Sequence, residues 1–341
     1  MTDRTHLADQ FLQPTKWAKA SRTPIAGDAS RRRYDRLTLP DSGQTAILMD
    51  APPAEGEDVR PFIRIAEYLC NQGFSAPLIL HRDEVNGFLL LEDLGDDLFA
   101  RVVIASPELE AKLYHTATEV LASLHNAPLP EGLSDYDTRI MTDMAALSYT
   151  WYRVATIGKS EDTEQRFRDQ IAPLLDQHIT GQKILIQRDY HAENLLWLPA
   201  RQGVAQVGLL DFQDAMTGHP AYDLVSLLQD ARRDVPPDIE TTMISHYLGL
   251  TQLDRDPFET AYHLLGIQRN LRILGVFARL CLRDGKPHYI DFMPRVWGYI
   301  TRSLTHPALQ DLAHTIHADL PEPTPEIMQK LKDQCPSPQM Q

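Results

Sequence analysis

The sequence is poor in cysteine and contains no long apolar run. Three cysteines occur in 341 residues, and they are widely separated. This count excludes a disulfide framework and a paired-cysteine zinc site, and it indicates a reducing compartment. No run approaches the roughly 20 apolar residues that a membrane helix requires, and the first residues lack the apolar segment of a signal peptide. We therefore expect a cytoplasmic protein with no membrane partner.

The chain also has no excess of positive charge. Acidic residues outnumber basic ones by 47 to 33, which gives a formal net charge of −14 at pH 7. This balance disfavours a nucleic-acid partner, because such partners are bound through clustered basic side chains. Hydrophobic residues make up 43% of the 341 positions, enough to fill the cores of two domains or of one large bilobal unit. We expect a monomer that acts on a small molecule.

One pattern of acidic residues points to a specific chemistry. Asp189 lies five residues before Asn194, and Asp211 follows Asn194 by seventeen residues. On a tight loop, the first Asp can accept the proton of a hydroxyl group while the Asn oxygen and the second Asp bind Mg²⁺. Apolar segments at 183–186, 194–198 and 207–210 predict short strands around this loop, which turn formation alone does not explain. We interpret Asp189 as the catalytic base, and Asn194 and Asp211 as metal ligands.

These residues also carry a family resemblance. The runs 189–194, 210–214 and 218–224 resemble the catalytic core of the aminoglycoside phosphotransferase/choline kinase superfamily. Within it, the chain is similar to the bacterial anomeric kinases for N-acetylmuramate and N-acetylglucosamine in cell-wall recycling, through the stretches 49–53, 212–230, 268–272 and 275–280. The resemblance implies ATP and Mg²⁺ as cofactors. It also implies an α+β, bilobal, protein-kinase-like fold with a small β-rich N-lobe and a mainly helical C-lobe.

The sequence patterns predict how the chain is divided. We expect an N-lobe over residues 1–95, a C-lobe over 96–320 and a loosely ordered tail over 321–341, where prolines are frequent. Strands are predicted at 33–39, 45–49, 77–81 and 87–92, with one helix at 59–72. Helices are predicted in the C-lobe at 107–125, 137–156 and 161–178, and further ones begin near Pro220, Pro237, Pro257 and Pro287.

Nucleotide binding is predicted between the lobes. A loop of small residues is expected to cover the phosphates through its N–H groups, with Arg32 next to it; its members are Gly27, Asp28, Ala29 and Ser30. The resemblance places the adenine-binding hinge at 89–95, where backbone groups of Glu92 and Leu94 would bind the base. An ordinary turn for the loop, and a buried strand ending in a polar turn for the hinge, remain alternatives.

Two positions depart from the family pattern. Met49 stands where the family carries a phosphate-contacting cation, and Gln187 stands where it usually has His. The missing charge must come from another residue, and we consider Arg31, Arg32, Arg33 and Arg36. Glu67 is a candidate for the helix Glu that pairs with this cation in family kinases.

Acceptor recognition is predicted on a helix over 257–283. Arg269, Arg272 and Arg279 fall within an arc of roughly 100° on this helix. Such a stripe suits the lactyl carboxylate or the acetamido oxygen of an amino sugar, whereas ion pairs with neighbouring helices are the alternative. Asp214 either binds a sugar hydroxyl or caps a turn, and Asp223 braces the catalytic loop in this family.

We therefore predict an ATP-dependent kinase for the anomeric hydroxyl of N-acetylmuramic acid, N-acetylglucosamine or both. One alternative is a kinase for another small hydroxyl compound, of the aminoglycoside, choline or homoserine type. A second alternative is a nucleotide-binding pseudokinase, which Met49 and Gln187 suggest. P-loop and serine-hydrolase signatures are missing from the sequence.

Overall fold

The computed structural model describes residues 4–25 and 31–336. The α-helices are α1 (Arg4–Leu12), α2 (Arg60–Asn71), α3 (Phe99–Ala105), α4 (Glu110–Asn126), α5 (Thr138–Ala145), α6 (Val154–Ile157), α7 (Thr163–His178), α8 (Ala221–Leu228), α9 (Pro237–Thr251), α10 (Arg255–Leu282), α11 (Met293–Ser303), α12 (Gln310–Asp319) and α13 (Pro325–Asp333). The strands are β1 (Ser21–Ile25), β2 (Arg33–Thr38), β3 (Thr45–Asp50), β4 (Ile79–Asp83), β5 (Phe88–Glu92), β6 (Ile184–Ile186), β7 (Leu195–Trp197), β8 (Val207–Leu209) and β9 (Met216–Gly218). Across these ranges, no helix is long and apolar enough to span a membrane.

The chain forms two compact units, and the division differs from the predicted boundary near residue 95. The first unit comprises Met1–Val120 with Ala192–Ala215, and the second comprises Leu121–His191 with Met216–Gln341. Backbone hydrogen bonds attach the segment 192–215 to the first unit. The Trp197 N–H donates to the Asp97 carbonyl at 2.8 Å, and the Leu209 N–H donates to the Ser75 carbonyl at 2.9 Å. These long-range bonds cannot be read from local sequence.

The first unit is built on an antiparallel sheet in the order β1-β2-β3-β5-β4. Side chains alternate across it, and one face packs against α1 in a buried cluster that contains Leu37, Leu48 and Phe88. The opposite face of β2 and β3 therefore carries Tyr34 and Met49, which are register partners. Neither α1 nor β1 was predicted, because α1 is short and has little apolar periodicity, and because β1 contains a proline.

The second unit is organised around α10, a helix of 28 residues that is buried along most of its middle. It packs against α5, α8, α11 and the π-helical stretch Ser148–Arg153. At Gly275, the backbone of α10 lies very close to the backbone at the start of this stretch. A Cβ atom at Gly275 would lie 2.3 Å from the carbonyl carbon of Leu147 and 2.5 Å from the Ser148 nitrogen. Only a residue without a side chain permits this contact between two backbones.

We expect Gly275→Ala to destabilise the protein by about 1–3 kcal/mol, the usual cost of overpacking a core. Gly298 on α11 is the matched control, because its Cβ would have no neighbour within 4 Å. Gly298→Ala should be neutral or stabilise by about 0.5–1 kcal/mol, since Ala favours a helix over Gly. Urea titration of both variants measures the difference. Equal stabilities would contradict the close contact.

The predicted α+β class is confirmed, with a β-rich first unit and a mainly helical second unit. Two segments differ in detail from the sequence prediction. The helix predicted over 137–156 is broken into α5, the π-helical stretch and α6. Residues 325–336, predicted to be loosely ordered, contain α13, which begins with a Thr324 side-chain cap and buries Leu331 completely. Pro325, interpreted as a sign of disorder, is instead the first residue of a helix.

Candidate functional site

The loop that carries Asp189 is held by a buried carboxylate. It follows β6, whose three residues are all buried. Asp223 lies in the first turn of α8 and is almost completely buried. Its two oxygens accept the backbone N–H groups of Gln187 at 2.6 Å and Arg188 at 2.9 Å. Burial raises the pKa of Asp223 to about 7, although these two bonds and Arg269 act in the opposite direction. This carboxylate braces the residues that precede Asp189.

The residue before Asp189 has a strained backbone. Arg188 has φ of 73°, in the left-handed region that non-glycine residues rarely adopt. Its carbonyl accepts hydrogen bonds from the Ser226 hydroxyl at 3.3 Å and from Arg269 Nη2 at 3.5 Å, and Arg269 Nη2 also donates to Ser226 Oγ at 2.6 Å. Such strain persists only where surrounding contacts hold it, and it is frequent at active sites.

Asp189 itself is surrounded by positive charge. Its side chain is 31% exposed, and its Oδ1 lies 3.8 Å from Arg269 Nη2 and 3.9 Å from Arg272 Nη1. Burial alone would raise the pKa of Asp189. The guanidinium groups of Arg272 and Arg269, followed by His191 and Arg188, outweigh burial and lower that pKa below its ordinary value. The carboxylate is therefore ionised at neutral pH and can accept a proton.

The three arginines predicted to bind the acceptor have different surroundings. Arg269 is buried, and its hydrogen bonds to Ser226 and to the Arg188 carbonyl stabilise the loop that carries Asp189. Arg272 is mostly buried, and although burial lowers its pKa, Tyr222, Asp189 and Tyr136 raise it above the usual value. The hydrogen bonds of Arg269 thus go to other parts of the protein, and its predicted contact with the acceptor stays a prediction.

Arg279 lies two helical turns beyond Arg272 on the same side of α10. Burial lowers its pKa, and the neighbouring charges of Arg283 and Arg272 lower it further, against the influence of Asp284. In the part of the chain that the structure describes, its Nε is buried without a hydrogen-bond partner. Arg279, which Arg272 repels and whose Nε lacks a partner among the described residues, therefore favours an anionic group on a ligand.

The predicted metal ligands meet in the first unit. Strands β7 and β8 are antiparallel, with Leu195 opposite Leu209, so the residue before β7 and the residues after β8 are at the same end of the pair. The Asn194 Nδ2 lies 3.3 Å from Asp211 Oδ2. Asp211 is exposed and has φ of 56°, again in the left-handed region, and Gln213 donates to its Oδ1 at 2.6 Å.

This pair fits a magnesium ion. Mg²⁺ prefers oxygen ligands and keeps several water molecules, so it needs one or two protein groups at an open position. Asp211 is exposed, and Asn194 is half-buried beside it. The Asn194 amide nitrogen now faces Asp211, and binding of a cation requires the amide oxygen to turn toward it. Asp214, a predicted acceptor ligand, is an exposed residue of the same unit.

The predicted nucleotide-binding residues are only partly within the described structure. Gly27, Asp28, Ala29 and Ser30 lie outside the described residues. At the predicted hinge, the Glu92 N–H donates to the Leu78 carbonyl at 2.8 Å, and the Glu92 side chain pairs with Arg201 at 2.6 Å. An adenine contact by Glu92 is therefore left to its carbonyl oxygen. Leu94 is half-buried, with its Cδ1 beside Gly208 of β8.

Two residues near Arg32 were missed by the sequence analysis. Glu57 accepts a hydrogen bond from Arg32 Nε at 2.8 Å, and, against the effect of burial, Tyr34 raises the pKa of Arg32 through its proximity. Strand alternation in β2 places Tyr34 on the same face as Met49, which is a signal that could have identified it. Glu67, in contrast, pairs with Arg82 on an exposed surface, so the structure does not support its predicted role.

We expect Arg272→Gln to move the acidic limb of the pH profile of kcat/KM to higher pH. That limb reports the pKa of the catalytic base in the free enzyme. Arg272 is the strongest of the charges that lower the pKa of Asp189, so its removal raises that pKa. Arg283→Gln, at the residue that follows α10 and pairs with Asp284, is the control and should leave the limb in place. An unmoved limb in Arg272→Gln would argue against Asp189 as the base.

Comparisons with known proteins agree with this geometry. Residues 21–258 match the sequence model of the phosphotransferase enzyme family. The chain is 38% identical over 340 residues to the N-acetylmuramate/N-acetylglucosamine kinase of Caulobacter vibrioides, covering 89% of this chain and 93% of that protein. It is 33% identical over 309 residues to the protein of the same name from Pseudomonas aeruginosa, covering 88% of each.

A solved structure extends the likeness to the fold. The choline/ethanolamine kinase family protein from Mesorhizobium loti superposes with a TM-score of 0.59 at 13% sequence identity, covering 97% of this chain and 100% of that chain. At this identity the likeness concerns the fold alone. It confirms the predicted protein-kinase-like fold class.

Proposed function

Because the chain belongs to the phosphotransferase enzyme family, we propose that it is an ATP-dependent kinase for the anomeric hydroxyl of N-acetylmuramic acid, N-acetylglucosamine or both. The observation that carries this proposal is the ionised Asp189 beside Arg272, with Arg279 further along the same helix. A base on the same side as Arg272 and the incompletely satisfied Arg279 suits an acceptor that has a hydroxyl to be phosphorylated and a carboxylate or acetamido oxygen to be bound. The relatives from Caulobacter vibrioides and Pseudomonas aeruginosa carry the name of such a kinase.

In this proposal Asp189 accepts the proton of the anomeric hydroxyl as that oxygen bonds to the γ-phosphorus of ATP, while the bond from this phosphorus to the β–γ bridging oxygen breaks and ADP leaves. An anomeric hydroxyl is more acidic than an ordinary alcohol, so a carboxylate is an adequate base. Asn194 and Asp211 would hold Mg²⁺, whose charge offsets that of the triphosphate. Asp189 precedes Asn194 by five residues in the chain, and this spacing supports their use in one reaction. Asp223 and Arg269 keep the loop in its strained conformation.

The acceptor is selected by charge. Arg272 and Arg279 would attract the lactyl carboxylate of N-acetylmuramic acid, whereas cationic acceptors such as choline and aminoglycosides would be repelled. Asp214 would accept a hydrogen bond from a sugar hydroxyl. We further propose that the protein acts in the cytoplasm as a monomer and that its product enters cell-wall recycling, as the low cysteine content and the similarity to the named relatives suggest.

The proposal is tested by ADP release from Mg-ATP with a panel of acceptors. The panel contains N-acetylmuramic acid, N-acetylglucosamine, choline, homoserine and kanamycin, and the products are examined by phosphorus NMR. A sugar 1-phosphate signal with the amino sugars is the expected result. Turnover with choline or kanamycin alone would replace this function with another kinase of the family. ATP binding without ADP release from any acceptor would favour a pseudokinase.

Arg279→Gln should separate the two amino sugars. Loss of a charged hydrogen bond costs about 1.5–3 kcal/mol, so kcat/KM for N-acetylmuramic acid should fall about 10- to 100-fold. N-acetylglucosamine lacks the lactyl carboxylate, and its kcat/KM should change less than about threefold. Initial rates with both sugars at saturating ATP give the ratio. An equal loss of kcat/KM for both sugars would show that Arg279 does not bind the lactyl carboxylate.

A further inference from the structure

Four arginines lie near the start of β2, and their surroundings differ. Arg36 is bound by Asp93 and Asp96, with guanidinium hydrogen bonds of 2.7–3.1 Å. Arg33 is exposed and alternates onto the sheet face that α1 covers. Arg31 is 67% exposed and has a distant ion pair with Glu55 at 3.8 Å. Arg32 is the member of the four that is both largely buried and turned toward the sheet face of Tyr34.

The guanidinium of Arg32 is held by Glu57. The bond from Arg32 Nε to Glu57 Oε2 is 2.8 Å long, and the two side chains are only 12% and 15% exposed. Glu57 Oε1 also accepts a hydrogen bond from the backbone N–H of Arg31 at 3.2 Å. The same carboxylate therefore holds the backbone just before β2. The bond to Glu57 uses the Nε–H, and it leaves the Nη end of the guanidinium fork for other partners. That end carries the N–H groups that bind phosphate oxygens in pairs.

Tyr34 links Arg32 to the candidate metal ligand Asp211. It interacts electrostatically with Arg32, and, against the effect of burial, the interaction raises the pKa of Arg32. Burial raises the pKa of Tyr34, Arg32 acts against this rise, and the nearby carboxylates of Asp211 and Glu57 add to it. In the same unit, the Phe62 ring of α2 packs against Phe212, the residue after Asp211, with ring centroids 4.9 Å apart, so the segment that follows Glu57 lies beside the Asp211 turn. A phosphate bound to Mg²⁺ at Asp211 would lie in the neighbourhood of the Arg32 fork.

Charge gives a reason for a cation at this place. A triphosphate brought to Asp211 adds negative charge to that of the carboxylate, and a metal ion offsets the sum only in part, so a cation beside the triphosphate is favourable. We propose that Arg32 binds the phosphates of the nucleotide, and that Glu57 and Tyr34 are positioning residues that orient its guanidinium. The inference rests on the proposed function in that it assumes a magnesium nucleotide at Asp211. It supplies the positive charge that Met49 does not provide.

The test compares nucleotide binding with binding of adenosine, which has no phosphate. Isothermal titration calorimetry is performed on the full chain with Mg-ATP, Mg-ADP and adenosine, without an acceptor. Arg32→Gln should weaken Mg-ATP binding about 10- to 100-fold, the value of a charged hydrogen-bond pair, while adenosine binding is unchanged. Arg31 is the exposed neighbour, and Arg31→Gln should change the affinity for neither Mg-ATP nor adenosine. Arg32→Lys keeps the positive charge but lacks the paired N–H groups of the guanidinium. Its affinity for Mg-ATP should therefore lie between those of wild type and Arg32→Gln.

Glu57→Gln and Tyr34→Phe test the positioning residues. Both leave Arg32 charged, so they should weaken Mg-ATP by a smaller factor than Arg32→Gln does, again without an effect on adenosine. Mg-ATP binding by Arg32→Gln within about twofold of wild type would overturn the inference. Equal weakening of Mg-ATP and adenosine by folded Arg32→Lys would also overturn it. No acceptor is present in the calorimetry, so the measured nucleotide affinities do not depend on which acceptor the enzyme uses. A failure of the sugar-kinase assignment can therefore be distinguished from a failure of the role proposed for Arg32.

Discussion

Replacement of Asp189 by Asn is expected to lower kcat by about 10²- to 10⁴-fold, the usual contribution of a general base. The amide cannot accept the proton of the acceptor hydroxyl, yet it has nearly the same size as the carboxylate. Arg272 and Arg269, at 3.9 and 3.8 Å, would lose their countercharge. The loop should persist, because Asp223 holds the Gln187 and Arg188 N–H groups independently of Asp189.

Steady-state kinetics with N-acetylmuramic acid and Mg-ATP measures this loss, and calorimetry measures nucleotide affinity in the same preparation. The affinity for Mg-ATP should stay within about threefold of wild type. Asp234→Asn is the matched control, because Asp234 is a largely exposed acid of the same unit that pairs with Arg295. Turnover by Asp189→Asn within about tenfold of wild type would exclude Asp189 as the base.

Replacement of Asp211 by Asn should abolish the response of nucleotide binding to Mg²⁺. A carboxylate supplies the negative charge that a hard divalent cation requires, whereas two neutral amides at residues 194 and 211 would compete poorly with water. Loss of the metal removes several kcal/mol of transition-state stabilisation, so kcat should fall by about 10²-fold or more. The nearby hydrogen bond from Gln213 can be made to the amide oxygen, so the fold should be kept.

The measurement is ATP affinity with Mg²⁺ and with EDTA, for wild type and variant. Wild type should bind more tightly with Mg²⁺, and Asp211→Asn should bind equally under both conditions. Glu193→Gln, at an exposed acid next to Asn194, is the control and should retain the response to Mg²⁺. A variant that responds to Mg²⁺ as wild type does would place the metal elsewhere.

Local sequence was sufficient for elements whose pattern is strong. The predicted strands at 33–39 and 45–49 agree with β2 and β3 to within one residue, because alternation and β-branched or aromatic side chains specify them. The motif from Asp189 to Asn194, with Asp211, indicated the chemistry without any structure. Local patterns did not indicate α1, whose residues are held by packing against β2, β3 and β5, or α13, which lies in the segment predicted to be a loose tail.

The roles of the arginines were decided by tertiary structure. Periodicity placed Arg269, Arg272 and Arg279 on one side of a helix, and that side exists in α10. Periodicity could not show that Arg269 donates hydrogen bonds to Ser226 and to the Arg188 carbonyl, because those groups belong to other elements. Likewise, four arginines around β2 were equivalent in the sequence, and the carboxylates of Glu57, Asp93 and Asp96 distinguish them in the fold.

The sequence by itself determined the class of reaction, since the spacing of Asp189, Asn194 and Asp211 and the apolar segments around them are local properties of the chain. It also determined the β-rich and helical halves, through periodicities of two and 3.6 residues. Tertiary structure decided which charged groups remain available to ligands. That property depends on contacts between residues distant in sequence, such as Asp223 with the Arg188 backbone and Arg32 with Glu57, and burial and ion pairing act only once these residues have been brought together.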